Sequence, residues 1–200
     1  MLSVNEPVAR KDRVIMCEFA DIEHEFNGYE KYFRGKHVLC QCDAAINSNF
    51  FKYFALRFVE LGLKKLTAIT YADSRTAAGY GHGYYITLDS VDADEEGLVS
   101  WDSIQDKIID GTIAVNDIYD GYFDSDESLK ILKSADLVVA SSPFMLITPY
   151  DELVARCGKP LLVYNDPDLR IYYNMKISIH NGIFEEVASG DNSWLLEPRK

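Results

Sequence analysis

The sequence predicts a three-layer α/β sandwich built around a mostly parallel β-sheet. Short apolar runs typical of buried strands alternate with stretches in which apolar residues recur every three or four positions, as in amphipathic helices. The clearest unit is a strand, a helix and a second strand over residues 36–71, which is the length of a crossover between parallel strands. An apolar fraction of 48% is enough to bury a core, which excludes a disordered chain.

In the first half of the chain, residues 1–13 are polar and are predicted to form a loose tail before a single domain over residues 14–200. The apolar rhythm predicts a helix over residues 20–33 that ends at Gly35. The next helix is predicted to be capped by Ser48 or Asn49 and to reach Gly62. Its apolar face, which is predicted to pack in the core, consists of Phe50, Phe51, Phe54, Leu56, Phe58 and Leu61. Strands are predicted on either side of this helix, over residues 36–42 and 65–71.

The second half of the chain continues the alternation less regularly. Its predicted strands cover residues 84–88, 112–119, 135–140 and 160–164, and its predicted helices cover residues 126–134 and 150–157. Residues 172–187 mix short strand and turn.

Ligands of such sheets bind beyond the carboxyl ends of the strands. Here those ends carry Asp43, Asp73, residues 117–124, residues 141–144 and residues 165–166. Acidic residues at strand ends are also ordinary solvated loop residues, and Asp73 alone does not distinguish the two interpretations.

The charge balance argues against a simple nucleic-acid binder. The chain carries 32 acidic and 20 basic side chains, a net charge of −12, whereas nucleic-acid binders usually carry positive charge that displaces counterions from phosphate. The acidic run over residues 89–96 is either a solvated face or a surface that mimics phosphate and binds a protein partner. The N-terminal sequence does not resemble a secretion signal, and no apolar run is long enough to span a membrane, so we expect a cytoplasmic protein.

The cysteine and histidine spacings favour core packing over metal binding. Cys40 and Cys42 lie on one face of a predicted strand, and neither they nor the four histidines show the spacing of a zinc site. We therefore expect no metal.

Three blocks of the sequence resemble the EcoRI-type adenine-specific DNA methyltransferase family. They are residues 29–43, 48–66 and 125–139, and together with the segments between them they cover roughly residues 12–187 in the family's order. The resemblance implies a Rossmann-like methyltransferase fold and S-adenosylmethionine as cofactor. It also implies a catalytic segment at Ser141, Ser142, Pro143 and Phe144, and cofactor-binding residues at Asp12, Asp43, Asp73, Asp120 and Phe123.

The chain departs from the family pattern in the three segments that carry the chemistry. Where the family has Asp-Glu-Phe-Tyr-Thr, Gly-Asp-Phe-Arg and Asn-Pro-Pro-Phe, the chain has residues 12–16, 121–124 and 141–144, which read Asp-Arg-Val-Ile-Met, Gly-Tyr-Phe-Asp and Ser-Ser-Pro-Phe. Serine in place of the first proline relaxes the backbone that directs a carbonyl into the base pocket. Pro143 and Phe144 keep a surface on which a base can stack.

Two functional hypotheses follow. The first is a methyltransferase-like pseudoenzyme that has lost cofactor and catalytic motifs, and whose acidic surface binds a protein of a nucleic-acid-directed restriction or defence system, as a phage-encoded antagonist would. The alternative is an active S-adenosylmethionine-dependent DNA adenine methyltransferase that uses Ser-Ser-Pro-Phe. Direct nucleic-acid binding is not expected under the first hypothesis.

Overall fold

The computed structural model of the chain describes residues 18–41, 45–71, 83–118, 122–141, 148–164 and 179–199. The N-terminal tail predicted at residues 1–13 lies outside the described residues, so the domain boundary at residue 14 stays a prediction.

The described residues form an eight-stranded sheet with the strand order β4-β3-β2-β1-β5-β6-β8-β7. The strands are β1 (His37–Gln41), β2 (Lys65–Thr70), β3 (Gly83–Leu88), β4 (Val115–Ile118), β5 (Leu137–Ser141), β6 (Leu161–Tyr164), β7 (Phe184–Ser189) and β8 (Ser193–Pro198). The central strands β2, β1, β5 and β6 are parallel neighbours. Strands β3 and β8 run in the opposite direction to the other six, so the sheet is mixed around the parallel centre that the sequence predicts.

Helices cover both faces of the sheet and complete the predicted three layers. They are α1 (Phe19–Phe26), α2 (Glu30–Phe33), α3 (Asn49–Leu56), α4 (Trp101–Ile109), α5 (Asp126–Ser134) and α6 (Thr148–Arg156). The first four pack with one core cluster, and α5 and α6 pack with a second cluster on the opposite face. No helix in the described part of the chain is long and apolar enough to cross a membrane.

The predicted β1-α3-β2 crossover is confirmed. The Ser48 side chain caps α3 by accepting hydrogen bonds from the amides of Phe50 (3.2 Å) and Phe51 (3.4 Å). The phenylalanines of this helix are buried, as predicted, and they pack around Phe26 of α1. Cys40 is also buried in the core, as predicted.

The single helix predicted over residues 20–33 is wrong, because α1 ends at Phe26 and α2 begins at Glu30. Between them Gly28 has a φ of 98°, which a right-handed helix does not allow. The Glu30 carboxylate accepts a hydrogen bond from the Gly28 amide, which fixes this break. Helix α3 is also shorter than predicted, since it ends at Leu56 and turns lead on to Gly62.

Two parts of the described sheet were not predicted. The pairing of β3 with both neighbours is antiparallel, and α4 lies between β3 and β4 where the sequence analysis assigned no helix. The C-terminal hairpin of β7 and β8 adds an antiparallel end to the sheet beside β6.

Candidate functional site

The carboxyl ends of the parallel strands lie along one edge of the sheet, which we call the carboxyl edge. Strand β1 pairs with β2 on one side and with β5 on the other, so the chain order reverses direction at β1. A crevice outside the sheet at such a reversal is the general ligand-binding position of open α/β sheets. In the described structure Gln41 and Ser141 end the two strands that flank this point.

The structure describes two of the nine predicted site residues. Ser141 is the last residue of β5, and the residue before it, Ala140, pairs with Gln41. The segment that starts at Ser141 therefore begins beside β1. Phe123 lies just before α5. The other seven residues, which lie outside the described residues, are Asp12, Asp43, Asp73, Asp120, Ser142, Pro143 and Phe144.

Phe123 belongs to a cluster of three aromatic rings on one face of the sheet. Its ring lies 6.5 Å from the ring of Tyr71 and 5.9 Å from the ring of Tyr150, measured between centroids. The rings of Tyr71 and Tyr150 are 6.2 Å apart. Because Tyr71 directly follows β2 and Tyr150 lies in the first turn of α6, this aromatic cluster lies at the carboxyl edge.

Burial and neighbouring side chains keep the Tyr150 phenol of the aromatic cluster neutral. Burial raises the pKa of the Tyr150 phenol well above its ordinary value, and the neighbouring Tyr71 and Asp151 raise this pKa further. The phenol of Tyr150 is therefore a hydrogen-bond donor throughout the neutral pH range.

Gln41 brings a buried amide to the same edge. Its side chain is only 1% exposed, and neither Nε2 nor Oε1 has a hydrogen-bond partner among the described residues. Buried polar side-chain atoms are normally paired, so an unpaired carboxamide at the end of a core strand needs a functional explanation. The sequence signal for it was one polar residue within the otherwise apolar residues 38–42.

A further hydrogen bond holds the chain at the point where it enters the crevice. The hydroxyl of Thr70, the last residue of β2, accepts a hydrogen bond of 2.7 Å from the amide of Ala45. Both residues are buried, and Ala45 begins the short 3-10 turn that leads into α3. The end of β2 therefore positions the segment that follows Asp43.

The fold concentrates negative charge far from this crevice. Residues 89–118, which we call the acidic segment, carry nine acidic side chains and one basic side chain, a net charge of −8 of the chain's −12. The segment contains α4 and the outermost strand β4, which two strands separate from β1. Its one basic residue, Lys107, pairs with Asp92. The rest of the chain carries a net charge of only −4.

The family model described as adenine-specific methyltransferase EcoRI matches residues 5–179. The chain belongs to this family. The match covers the whole parallel centre of the sheet, including the ends of β1 and β5 at the crevice.

Three curated relatives are similar in sequence to the chain. The type II methyltransferase M.EcoRI of Escherichia coli is 36% identical over 74% of the chain and 44% of its own length. M.MpnI of Mycoplasma pneumoniae is 34% identical over 80% of the chain and 42% of its own length. M.MgeORF184P of Mycoplasma genitalium is 31% identical over 72% and 37%, respectively. The chain therefore spans less than half the length of these relatives. No solved structure matches the chain significantly.

The residues at the crevice fit an S-adenosylmethionine site better than a metal site. In the described part of the chain, no three His, Cys, Asp or Glu side chains cluster as metal ligands. The unpaired Gln41 amide and the aromatic cluster instead present a polar edge next to flat apolar surfaces. A nucleoside has this combination of groups.

Proposed function

We propose that this chain binds S-adenosylmethionine at the carboxyl edge and methylates the exocyclic amine of adenine in DNA. The observation that carries the proposal is the position of Ser141. The family's catalytic tetrapeptide begins in this chain at the last residue of β5, one residue beyond the pairing of Ala140 with Gln41. The family membership and the names of the relatives support the reaction type.

Bound S-adenosylmethionine supplies an electrophilic methyl group. The chain's own residues have to orient the amine lone pair of adenine toward that group. In our proposal the Ser141 hydroxyl and a backbone carbonyl of the tetrapeptide accept hydrogen bonds from the exocyclic amine, and Phe144 stacks on the base. Asp12, Asp43, Asp73, Asp120 and Phe123 are proposed to contact the cofactor.

The charge distribution removes the main objection to DNA as substrate. Two thirds of the net negative charge lies in the acidic segment, and the remaining residues carry 23 acidic and 19 basic side chains. Outside the acidic segment the chain is therefore nearly balanced in charge, and it repels phosphate far less than the total charge of −12 suggests.

A second candidate is the pseudoenzyme that binds a basic protein of a restriction or defence system. The acidic segment favours it, because its charge is joined by two strongly exposed apolar side chains, Leu98 (64% exposed) and Ile109 (82% exposed). Exposed apolar groups within a charged surface are common in protein-binding sites.

Two measurements separate the candidates. Calorimetric titration with S-adenosylmethionine tests the cofactor site, and transfer of a tritiated methyl group to duplex DNA tests the reaction. Micromolar binding with N6-methyladenine as the product supports the first candidate. Binding without transfer, or no binding at all, overturns it and leaves the pseudoenzyme.

Two variants make the transfer assay specific to the site. Phe144→Ala should abolish transfer and leave cofactor binding intact, because the proposed stacking partner of the base is lost. Tyr122→Ala is a matched control, since this aromatic residue is 57% exposed and lies outside the aromatic cluster. Equal loss of transfer in both variants would show that the transfer does not depend on base stacking by Phe144.

A further inference from the structure

Gln41 is a buried polar residue at the carboxyl edge. Each residue of β1 is buried, and the side chain of Gln41 is 1% exposed. Both atoms of its carboxamide lack a hydrogen-bond partner in the described structure. An amide in this state has lost its hydrogen bonds to water without replacing them, which is unfavourable unless a ligand replaces them.

The register of the sheet determines which face Gln41 occupies. It pairs with Ile69 of β2 and with Ala140 of β5, and both of these residues belong to the second core cluster. Neighbouring residues of parallel strands share a face, so the Gln41 side chain lies on the face that carries the aromatic cluster. The carboxamide is therefore on the same face of the sheet as Tyr71 and Tyr150.

The chemistry of this surface favours a neutral, flat ligand. None of the buried residues in the described part of the chain is Lys or Arg, and the buried Asp151 is next to Tyr150, which is unfavourable for an anionic ligand. A carboxamide carries a donor and an acceptor side by side. That pair matches the exocyclic amine (a donor) and N7 (an acceptor) of adenine, which glutamine reads through two hydrogen bonds.

We propose that the Gln41 carboxamide recognises the adenine ring of a ligand bound at the carboxyl edge. The inference rests on the proposed function and assigns the ring to the adenosyl group of the cofactor, because Ser141 and a backbone carbonyl already accept both amine hydrogens of the target base there. Gln41 selects adenine over hypoxanthine, because hypoxanthine has a carbonyl acceptor where adenine has the amine donor.

Substitution by leucine tests the proposal, because Gln41→Leu keeps the size of the side chain and removes both hydrogen-bonding atoms. The cofactor arm measures binding of S-adenosylhomocysteine and S-inosylhomocysteine. The base arm measures binding of single-stranded oligonucleotides of adenine and of hypoxanthine. Gln105→Leu, the same change on α4, is the matched control.

Gln41→Leu should weaken binding of S-adenosylhomocysteine in the cofactor arm by about 5- to 150-fold, which is the range for a paired amide and adenine. It should also abolish the preference for adenine over hypoxanthine in that arm. A response confined to the base arm would overturn the assignment of the ring to the cofactor. Urea unfolding of the ligand-free protein should show unchanged or increased stability, because an unpaired buried polar group has been removed.

The opposite pattern would overturn the inference. Lower stability of the ligand-free Gln41→Leu protein, with unchanged binding and unchanged preference, would assign Gln41 to the core. If the unsubstituted chain binds the adenosyl ligand and the variant binds it equally, with no change in the base arm, only this inference fails. If the unsubstituted chain binds none of the probes, the proposed function fails with it.

Discussion

Glu25 connects helix α1 to the end of the sheet formed by β8 and β7. Removing the Glu25 side chain should lower the free energy of unfolding substantially. Its carboxylate is 5% exposed and accepts three hydrogen bonds, from the Asn192 amide (2.9 Å), the Asn192 side chain (2.9 Å) and the Ser193 hydroxyl (3.0 Å). We call these three residues the Glu25 clamp. It joins α1 to the turn between β7 and β8, 167 residues along the chain.

Glu25→Ala removes all three bonds to the carboxylate and leaves the buried Ser193 hydroxyl with two weaker partners, the backbone carbonyl of residue 25 (3.4 Å) and the Tyr29 hydroxyl (3.3 Å). Hydrogen bonds to a charged group contribute about 1.5–3 kcal/mol each. The loss is offset in part, because the carboxylate no longer has to be desolvated and Asn192 regains water. We therefore expect Glu25→Ala to lower the free energy of unfolding by about 2–4 kcal/mol. Glu25→Gln keeps one acceptor oxygen and should lower the free energy of unfolding by about half as much.

Gly190 gives an independent measure of the same clamp. A Cβ atom at this position would lie 2.6 Å from the Ser193 hydroxyl oxygen and 2.8 Å from Oε2 of Glu25. Gly190→Ala should therefore cost about 1–3 kcal/mol in the intact chain. The cost should shrink in the Glu25→Ala background, because one of the two obstructing atoms is gone.

Urea unfolding followed by circular dichroism measures all four proteins, with the free energies compared in a double-mutant cycle. A loss below about 1 kcal/mol for Glu25→Ala would refute the reasoning, because it would mean that the bonds exchange with water at no cost. Strict additivity of the two substitutions would refute the proposed steric contact between them.

Three further substitutions test individual contacts by urea unfolding. His37 is buried between the Ser134 carbonyl and the Thr67 hydroxyl, and burial lowers its pKa below 6.5. The stability that neutral His37 contributes is therefore complete above about pH 6.5 and is lost as the pH falls through the lower folded-state pKa. His37→Asn should flatten the loss of stability below about pH 6.5, and an unchanged slope would contradict this assignment. Thr70→Val should lower the free energy of unfolding by about 1–2 kcal/mol, because it leaves the buried Ala45 amide unpaired. Thr70→Ser keeps the hydroxyl and should lower it less. Equal losses in the two variants would exclude the hydroxyl as the cause. Ser48→Ala should lower the free energy of unfolding by about 1 kcal/mol, because the cap of α3 is lost. Ser48→Asp should keep a cap and therefore the stability. A loss of stability in the aspartate variant equal to that of the alanine variant would argue against capping.

The sequence predicted the elements whose signals are local. Helix α5 has the predicted limits of residues 126 and 134, because a capping serine, an apolar rhythm and a following strand all agree there. The break at Gly28 was missed because the apolar rhythm continues through it, although α1 and α2 are separate helices. The direction of β3 was not predictable either, since strand direction depends on long-range pairing rather than on local sequence.

The candidate site was predictable in position but not in composition. The rule for parallel sheets directs attention to the ends of β1 and β5, and the structure places these two strands side by side. Gln41 could not be identified in the same way, because an amide in an apolar run is unremarkable until its two atoms are seen to lack partners. The aromatic cluster likewise joins residues from β2, α6 and the segment before α5, which no sequence spacing relates.

The two candidate functions use different parts of the molecule, which makes them separable by mutation. In the first proposal methyl transfer depends on the carboxyl edge around Gln41 and Ser141. In the second, protein binding depends on the acidic segment, whose helix α4 lies on the opposite face of the sheet from the aromatic cluster. Replacing Asp94 and Glu95 with their amides should therefore leave S-adenosylmethionine binding unchanged and weaken binding of a basic partner, because both changes remove charge from an exposed loop. The net charge of the whole chain has no bearing on this choice, since the fold has already separated most of it from the crevice.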